Sequence, residues 1–420
     1  MITAWDWFKR SIVKRDLGDH EGAIADLNNA IRMKRDFTNA YFNRGNEKTH
    51  LKDFQGAIAD YTKAISLKTD LAEAYNNRAF AQCAIGDYQE AIDNCTTAVR
   101  LNPDYARAYY NRGTARSYLK DHEGAIADYT KVIGLKPKHA NSYHARGNAR
   151  SYLKDYEGAI ADYTKAIGLK PEHTNAYHAR GTARSYFKDY EGAIADYTKV
   201  IMLKPDDTDA HKARGQAKYR LGDYQGAIDD YTKVIIGNRD DANAYYDRGN
   251  AKYLLKDYEE AIADFTTATS LRPEFAVAYS ARGQAKHGYE DYRGAIEDYT
   301  KAIDLNQDDA VAYSDRGWVK HDLGDYPGAL ADYNKAISLN PDLAEVYLNR
   351  GLTAYFLRDY QGAHADYAKA IGLNPNYAKA YYNRGLMYLS LSQKDKALTE
   401  FMRAIELGHL VRQEVLDKCK

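Results

Sequence analysis

The sequence predicts an all-α fold, an α-solenoid of 34-residue helix-turn-helix repeats, on three observations. The stretch SYLKDYEGAIADYTKAIGLKP, residues 151–171, recurs almost unchanged 34 residues before and after itself. The dipeptide Arg-Gly keeps the same beat: Arg44-Gly45, then Arg112-Gly113, Arg146-Gly147 and every 34th residue as far as Arg384-Gly385. Arg78-Ala79 fills the one skipped beat and Arg10-Ser11 extends the series backwards, giving twelve repeats between residues 4 and 411 with no insertion. Each repeat also contains two helical patterns parted by a turn, with nothing that alternates as a strand would.

The repeat that begins at Ala140 illustrates the elements in order. From Asn141 to Leu153 the chain is apolar or small at Tyr143, Gly147 and Ala149 and reads as a first helix. Lys154-Asp155 supplies a turn and an N-cap, because an aspartate oxygen accepts from an orphan amide at a helix start. The same residue stands at Asp19, Asp53, Asp87, Asp121, Asp189, Asp223, Asp257, Asp291, Asp325 and Asp359, with Gln393 in the last repeat. Ala159, Tyr163, Ala166 and Ile167 then mark one stripe of a second helix, and Pro171 stops it. One hairpin cannot bury both faces, so it must stack on its neighbours. Gly147 and Ala159 are expected to face each other where the two helices come closest.

Composition narrows the function. Lys plus Arg is 59 and Asp plus Glu is 59, a net charge of zero that argues against a phosphate-binding protein. Three cysteines without CxxC spacing fit a reducing compartment. Cys83 and Cys95 share a repeat, and Cys95 takes the place of an aromatic, as a small buried hydrophobe would; Cys419 is expected to be an exposed thiol. With no leader-like start and no apolar span, the expected location is cytoplasmic. No phosphate-binding glycine motif occurs, and the regular array has no insertion to build a catalytic pocket. The expectation is a protein that is no enzyme and carries no cofactor.

Tyr143, Gly147, Ala159, Tyr163, Ala166 and Pro171, at their spacing within a 34-residue hairpin, resemble the tetratricopeptide repeat. Alanine follows the turn in all twelve repeats, from Ala23 to Ala397, and the resemblance covers essentially the whole chain. It implies a right-handed superhelix with a concave groove. Residues 1–3 would be an N-terminal extension, repeats would start at 4, 38, 72, 106, 140, 174, 208, 242, 276, 310, 344 and 378, and 412–420 would end a short capping helix.

The array departs from that family's usual pattern in its charges. Arg precedes the glycine place in every repeat, and a second base follows three residues later at Lys14, Lys48, Arg116, Arg150, Arg184, Lys218, Lys252, Lys286 and Lys320. An acid precedes the second-helix aromatic at Asp26, Asp60, Asp128, Asp162, Asp196, Asp230, Asp264, Asp298, Asp332, Asp366 and Glu400. In the third repeat both partners are neutral, Gln82 and Asn94, which predicts a ladder of paired, partly buried charges.

By the same resemblance, the groove is lined by first-helix residues that vary against a constant frame. The candidates are Phe42, Asn46, Tyr110, Tyr118, His144, Asn148, Tyr152, His178, Tyr186, Tyr246 and Asn250, whose rings and amides suit an extended peptide. The expected function is a non-enzymatic protein-interaction scaffold, with RNA binding and self-association as alternatives. The family's clamp for a C-terminal carboxylate is not expected, because Lys212 is followed by Gln216, Asp247, Val277 and Ala281. His139, His144, His173 and His178 are weak metal candidates, copied with the repeat. Trp5, Trp7 and Phe8, crowded near Ile2 on the first helix, form a candidate patch for self-association.

Overall fold

Every repeat folds as two helices joined by a tight turn, as Ala140–Tyr152 and Tyr156–Leu169 do in the fifth. The computed structural model describes residues 2–419, so Met1 of the expected extension and Lys420 of the expected cap lie outside the described residues. Among the described residues there are 25 helices and no strand, the last helix being the short Gln413–Asp417. None is long and apolar enough to cross a membrane. The chain falls into two compact units, Met1–Ala213 and Arg214–Lys420.

The turn works through a left-handed residue. Lys154 has φ of 63°, and Gly18, Gly86, Gly222 and Gly324 hold the equivalent place with positive φ. That bend lets the Asp155 amide donate back to the Arg150 carbonyl, closing the first helix. Asp155 then accepts from the Gly158 amide at 2.9 Å, and eight further aspartates cap in the same way. Asp87 and Asp257 do not, which corrects the expectation of a cap at every aspartate. The cause is steric: a Cβ built on Gly158 would lie 2.3 Å from the Asp155 carboxylate, and the residues in that place after Asp87 and Asp257 are Glu90 and Glu260.

Packing within the hairpin explains the second glycine. The stripe Ala159, Tyr163, Ala166 and Ile167 is buried. The neighbour that demands Gly147, however, is Tyr163 and not Ala159: a Cβ there would sit 2.6 Å from the Tyr163 ring. Ten repeats pair glycine with an aromatic ring in this way, from Gly45 with Tyr61 to Gly385 with Phe401. In the two repeats without the glycine, the ring is also gone: Ser11 accompanies Leu27, and Ala79 accompanies Cys95. Cys95 is fully buried, as its place in the stripe predicts.

The charge ladder is built around the constant arginine. Arg146 donates from Nε and Nη2 to both oxygens of Asp162, at 2.9 and 2.7 Å, and Arg150 adds a third bond at 2.9 Å. Asp162 is 3% exposed, so its charge is held by these two cations rather than by water. All nine second-place bases reach their acid, at 2.7–3.2 Å. In the third repeat the link is neutral, Arg78 donating to Asn94 and Asn94 to Gln82. Burial lowers the Arg78 pKa below its ordinary value, with Tyr75 and Glu90 acting against the fall.

The same arginine also ties one repeat to the one before. Arg146 Nη1 donates at 3.0 Å to Thr130, on the second helix of the preceding hairpin. Arg44, Arg78, Arg112 and Arg180 in the first unit do likewise, as do Arg248, Arg282, Arg316 and Arg350 in the second. Each guanidinium in the series also lies over the tyrosine three residues earlier, Arg146 at 5.7 Å from the Tyr143 ring centre.

The ends of the chain differ from expectation in two details. Phe8 is buried against Leu27 and Phe37, and Trp7 lies beneath the Arg10 guanidinium at 4.1 Å. Of the three rings, Trp5 alone is half exposed. At the other end Val411, Val415 and Leu416 pack on Phe401, whereas Leu410 points away into solvent. Cys419 is buried in that cluster with its thiol near the Val415 carbonyl, which corrects the expectation of an exposed thiol.

Two pairs of substitutions test this packing, all four read from urea midpoints. Gly147→Ala should destabilise by about 1–3 kcal/mol because the Tyr163 ring must move. Gly168→Ala should stabilise by about 0.5–1 kcal/mol, since a Cβ there meets nothing within 4 Å. Asp162→Lys should cost about 3–5 kcal/mol by burying a third cation against two half-buried ones. Glu157→Lys, on the exposed face of the same helix, should change stability by no more than about 0.5 kcal/mol.

Candidate functional site

The first-helix face holds the predicted groove residues in two distinct settings. Those at the fifth place are half buried and rest on the second-helix ring of their own hairpin. Phe42 lies 6.0 Å from Tyr61, Tyr110 5.6 Å from Tyr129, His144 5.7 Å from Tyr163, His178 5.4 Å from Tyr197, and Tyr246 5.9 Å from Phe265. These side chains form the floor. Tyr118, Tyr152 and Tyr186, the last residues of their helices, stand in solvent at 62%, 74% and 66% exposure.

The ninth-place amides have one end fixed. Asn148 Oδ1 accepts from the Tyr163 hydroxyl at 2.9 Å, and Asn46 Oδ1 accepts from Tyr61 and from Asn77. With that oxygen engaged, the NH2 group is the donor end of each amide. Asn148 lies with Ser151, Tyr152, Tyr156, Thr182 and Tyr186 around a concavity of about 440 Å³. In the second unit Asn250 shares one of about 370 Å³ with Gln216, Tyr219, Arg220 and Asp247.

The four histidines do not converge. His144 and His173 are neighbours with ring centres 5.0 Å apart, but His139 turns to Tyr110 and to the Ser142 hydroxyl, and His178 to Tyr197. Burial, and then the adjacent His173, lower the His144 pKa to about 4; burial lowers His139 and His173 as well. Among the described residues no group of three or more His, Cys, Asp or Glu side chains is arranged to hold a metal ion.

Comparison with known proteins agrees with this geometry. Models described as tetratricopeptide repeat match residues 38–71, 72–105, 106–139, 140–173, 242–275 and 348–408, and one described as TPR repeat matches 188–222 and 319–357. The chain belongs to the tetratricopeptide repeat family. No curated protein matches it. Similar solved structures include the APC/C hetero-tetramer Cut9-Hcn1, at 14% identity over 97% of this chain and 95% of that one, with a TM-score of 0.48. Yeast Tom70 is similar at 18% identity over 99% and 94%, TM-score 0.43. YrrB, a TPR protein, is similar at 23% identity over 45% of this chain and 97% of its own, TM-score 0.42.

Sequence reasoning missed two features of this tetratricopeptide array. One is the partner of each exposed ring: Tyr118 stacks on Tyr88, Tyr152 on His122 and Tyr186 on Tyr156, in near-parallel pairs 4.6–5.3 Å apart. The signal was an aromatic 30 residues before each exposed tyrosine, in the preceding repeat. The other is Asp315 in the second unit, whose carboxylate lies in a concavity with Trp318, Glu345 and Lys379. Burial raises its pKa to about 6; Gln284 and His287 act against the rise, while Glu345 and Asp309 add to it.

A carboxyl whose folded pKa exceeds its unfolded value binds protons more tightly when folded. Its contribution to stability is full below the ordinary carboxylate range and is lost as pH rises through about 6. Asp315→Asn should therefore raise the melting temperature at neutral pH. The gain should vanish near pH 4, as thermal unfolding across that range will show.

Proposed function

We propose that the chain is a non-enzymatic scaffold of the cytoplasm that binds extended peptide or protein segments along the first-helix face of its repeats. What supports this reading is the division of labour within each repeat. The constant arginine is occupied with its acid, or with Asn94 in the third repeat, and the second base joins them in nine repeats. The varied ninth and thirteenth places present amide donors and ring faces above fifth-place side chains that form the floor. An extended peptide needs donors for its carbonyls and apolar surface for its side chains.

The RNA alternative is less well supported. It rests on one arginine per repeat, and those guanidinium groups are spent on carboxylates and tyrosine rings. The self-association alternative now rests on Trp5 and Ile2, since Phe8 is internal.

Selection of a random-peptide display library on the intact chain tests the proposal. Recovered peptides should bind the chain with weak salt dependence and lose at least about tenfold in affinity when Tyr118, Tyr152 and Tyr186 are all changed to Ala. Failure to enrich any peptide, or enrichment indifferent to the triple variant, would count against the first-helix face.

A further inference from the structure

We propose that Tyr118, Tyr152 and Tyr186 form a ladder that takes a proline-rich segment of a partner in the polyproline II conformation. The inference rests on the groove-binding reading above and names the class of peptide. Each of these rings is the outer member of a stacked pair, with interplanar angles of 6–8°. One face is covered by Tyr88, His122 or Tyr156, which come from the second helix of the preceding repeat. The stacking of repeats therefore holds the outer ring flat before any ligand arrives, and the rest of the ring stays open to solvent. A ring fixed beforehand loses little freedom on binding.

Charge and hydrogen bonding narrow the ligand further. Ninth and twelfth places in these three repeats are Thr114 and Ser117, Asn148 and Ser151, Thr182 and Ser185, all neutral. Lys154 is the one charged side chain around the concavity between Tyr152 and Tyr186. Such a surface offers little to a phosphate chain or an acidic peptide. The Asn148 oxygen is taken by Tyr163, so its NH2 is the group left to face a ligand, and it asks for an acceptor. A polyproline II segment supplies carbonyls that make no internal hydrogen bonds, and its prolines bring no amide N–H to be left unsatisfied.

Polyproline II repeats every three residues, about 9.3 Å. First helices of consecutive repeats touch each other in this unit, and each brings one of the three rings to the same end of its helix. A proline at every third position then meets one ring per repeat, its flat hydrocarbon ring against the tyrosine face.

The test is fluorescence anisotropy on the full chain, with a labelled all-proline peptide about twelve residues long and a Gly-Ser peptide of equal length. The proline peptide should bind and the Gly-Ser peptide should not. Each of Tyr118→Ala, Tyr152→Ala and Tyr186→Ala should weaken binding about tenfold with unchanged helical circular dichroism, and Asn148→Ala a few-fold. Raising salt from about 0.1 M to 1 M should change the affinity little. Equal binding of the two peptides, or indifference to the three tyrosine variants, would overturn the proposal. If the display library instead yields proline-free peptides that need these rings while the proline peptide fails, this inference falls and the groove reading stands. If neither binds, both fall.

Discussion

The arginine that precedes each glycine place is the contact on which the array depends. Taken with its acid alone it is a buried ion pair, and such pairs often contribute little net stability because desolvation offsets attraction. Its third bond changes the argument. By reaching back to a threonine or asparagine of the preceding second helix, the guanidinium fixes the offset between one hairpin and the next. An apolar substitute of equal volume would fill the space without specifying that offset. The fork of five donors suits the task, since a lysine ammonium has neither the planarity nor the reach to serve two helices and lie on a tyrosine ring together.

A second constraint runs alongside it. The glycine in the first helix and the ring in the second are two halves of one fit, and the exceptions show it better than the rule. Where Ala79 adds a methyl, Cys95 replaces the ring; where Ser11 adds a hydroxymethyl, Leu27 does. The third repeat changes its charge set as well, trading acid and second base for Asn94 and Gln82 while keeping Arg78. Each repeat is thus internally matched, which is what a stack requires when every unit must fit two neighbours.

These constraints decide where function can reside. Residues that lock the hairpin are unavailable to a ligand, so the chemistry left over sits at the ninth and thirteenth places and at the mouth of each interhelical gap. Even there the lock intrudes: the Tyr163 hydroxyl sets which way the Asn148 amide points, and the preceding repeat sets the plane of Tyr152. The groove is shaped by the packing beneath it.

The sequence by itself determined the helical hairpin, its period and the pairing of charges. Those are consequences of local pattern, and a pattern copied twelve times is hard to misread. It also carried the covariation of Gly147 with Tyr163, at a separation of 16 residues, and the aromatic pair Tyr152 and His122, at 30, though nothing local marks such pairs as contacts. Only the tertiary structure decided that the fifth-place rings are floor and not surface, that Glu90 and Glu260 displace a cap, that Cys419 is covered, and that Asp315 is desolvated. Each depends on what a neighbouring element places against the residue. Burial and orientation are properties of the stack, and no single repeat, read alone, contains them.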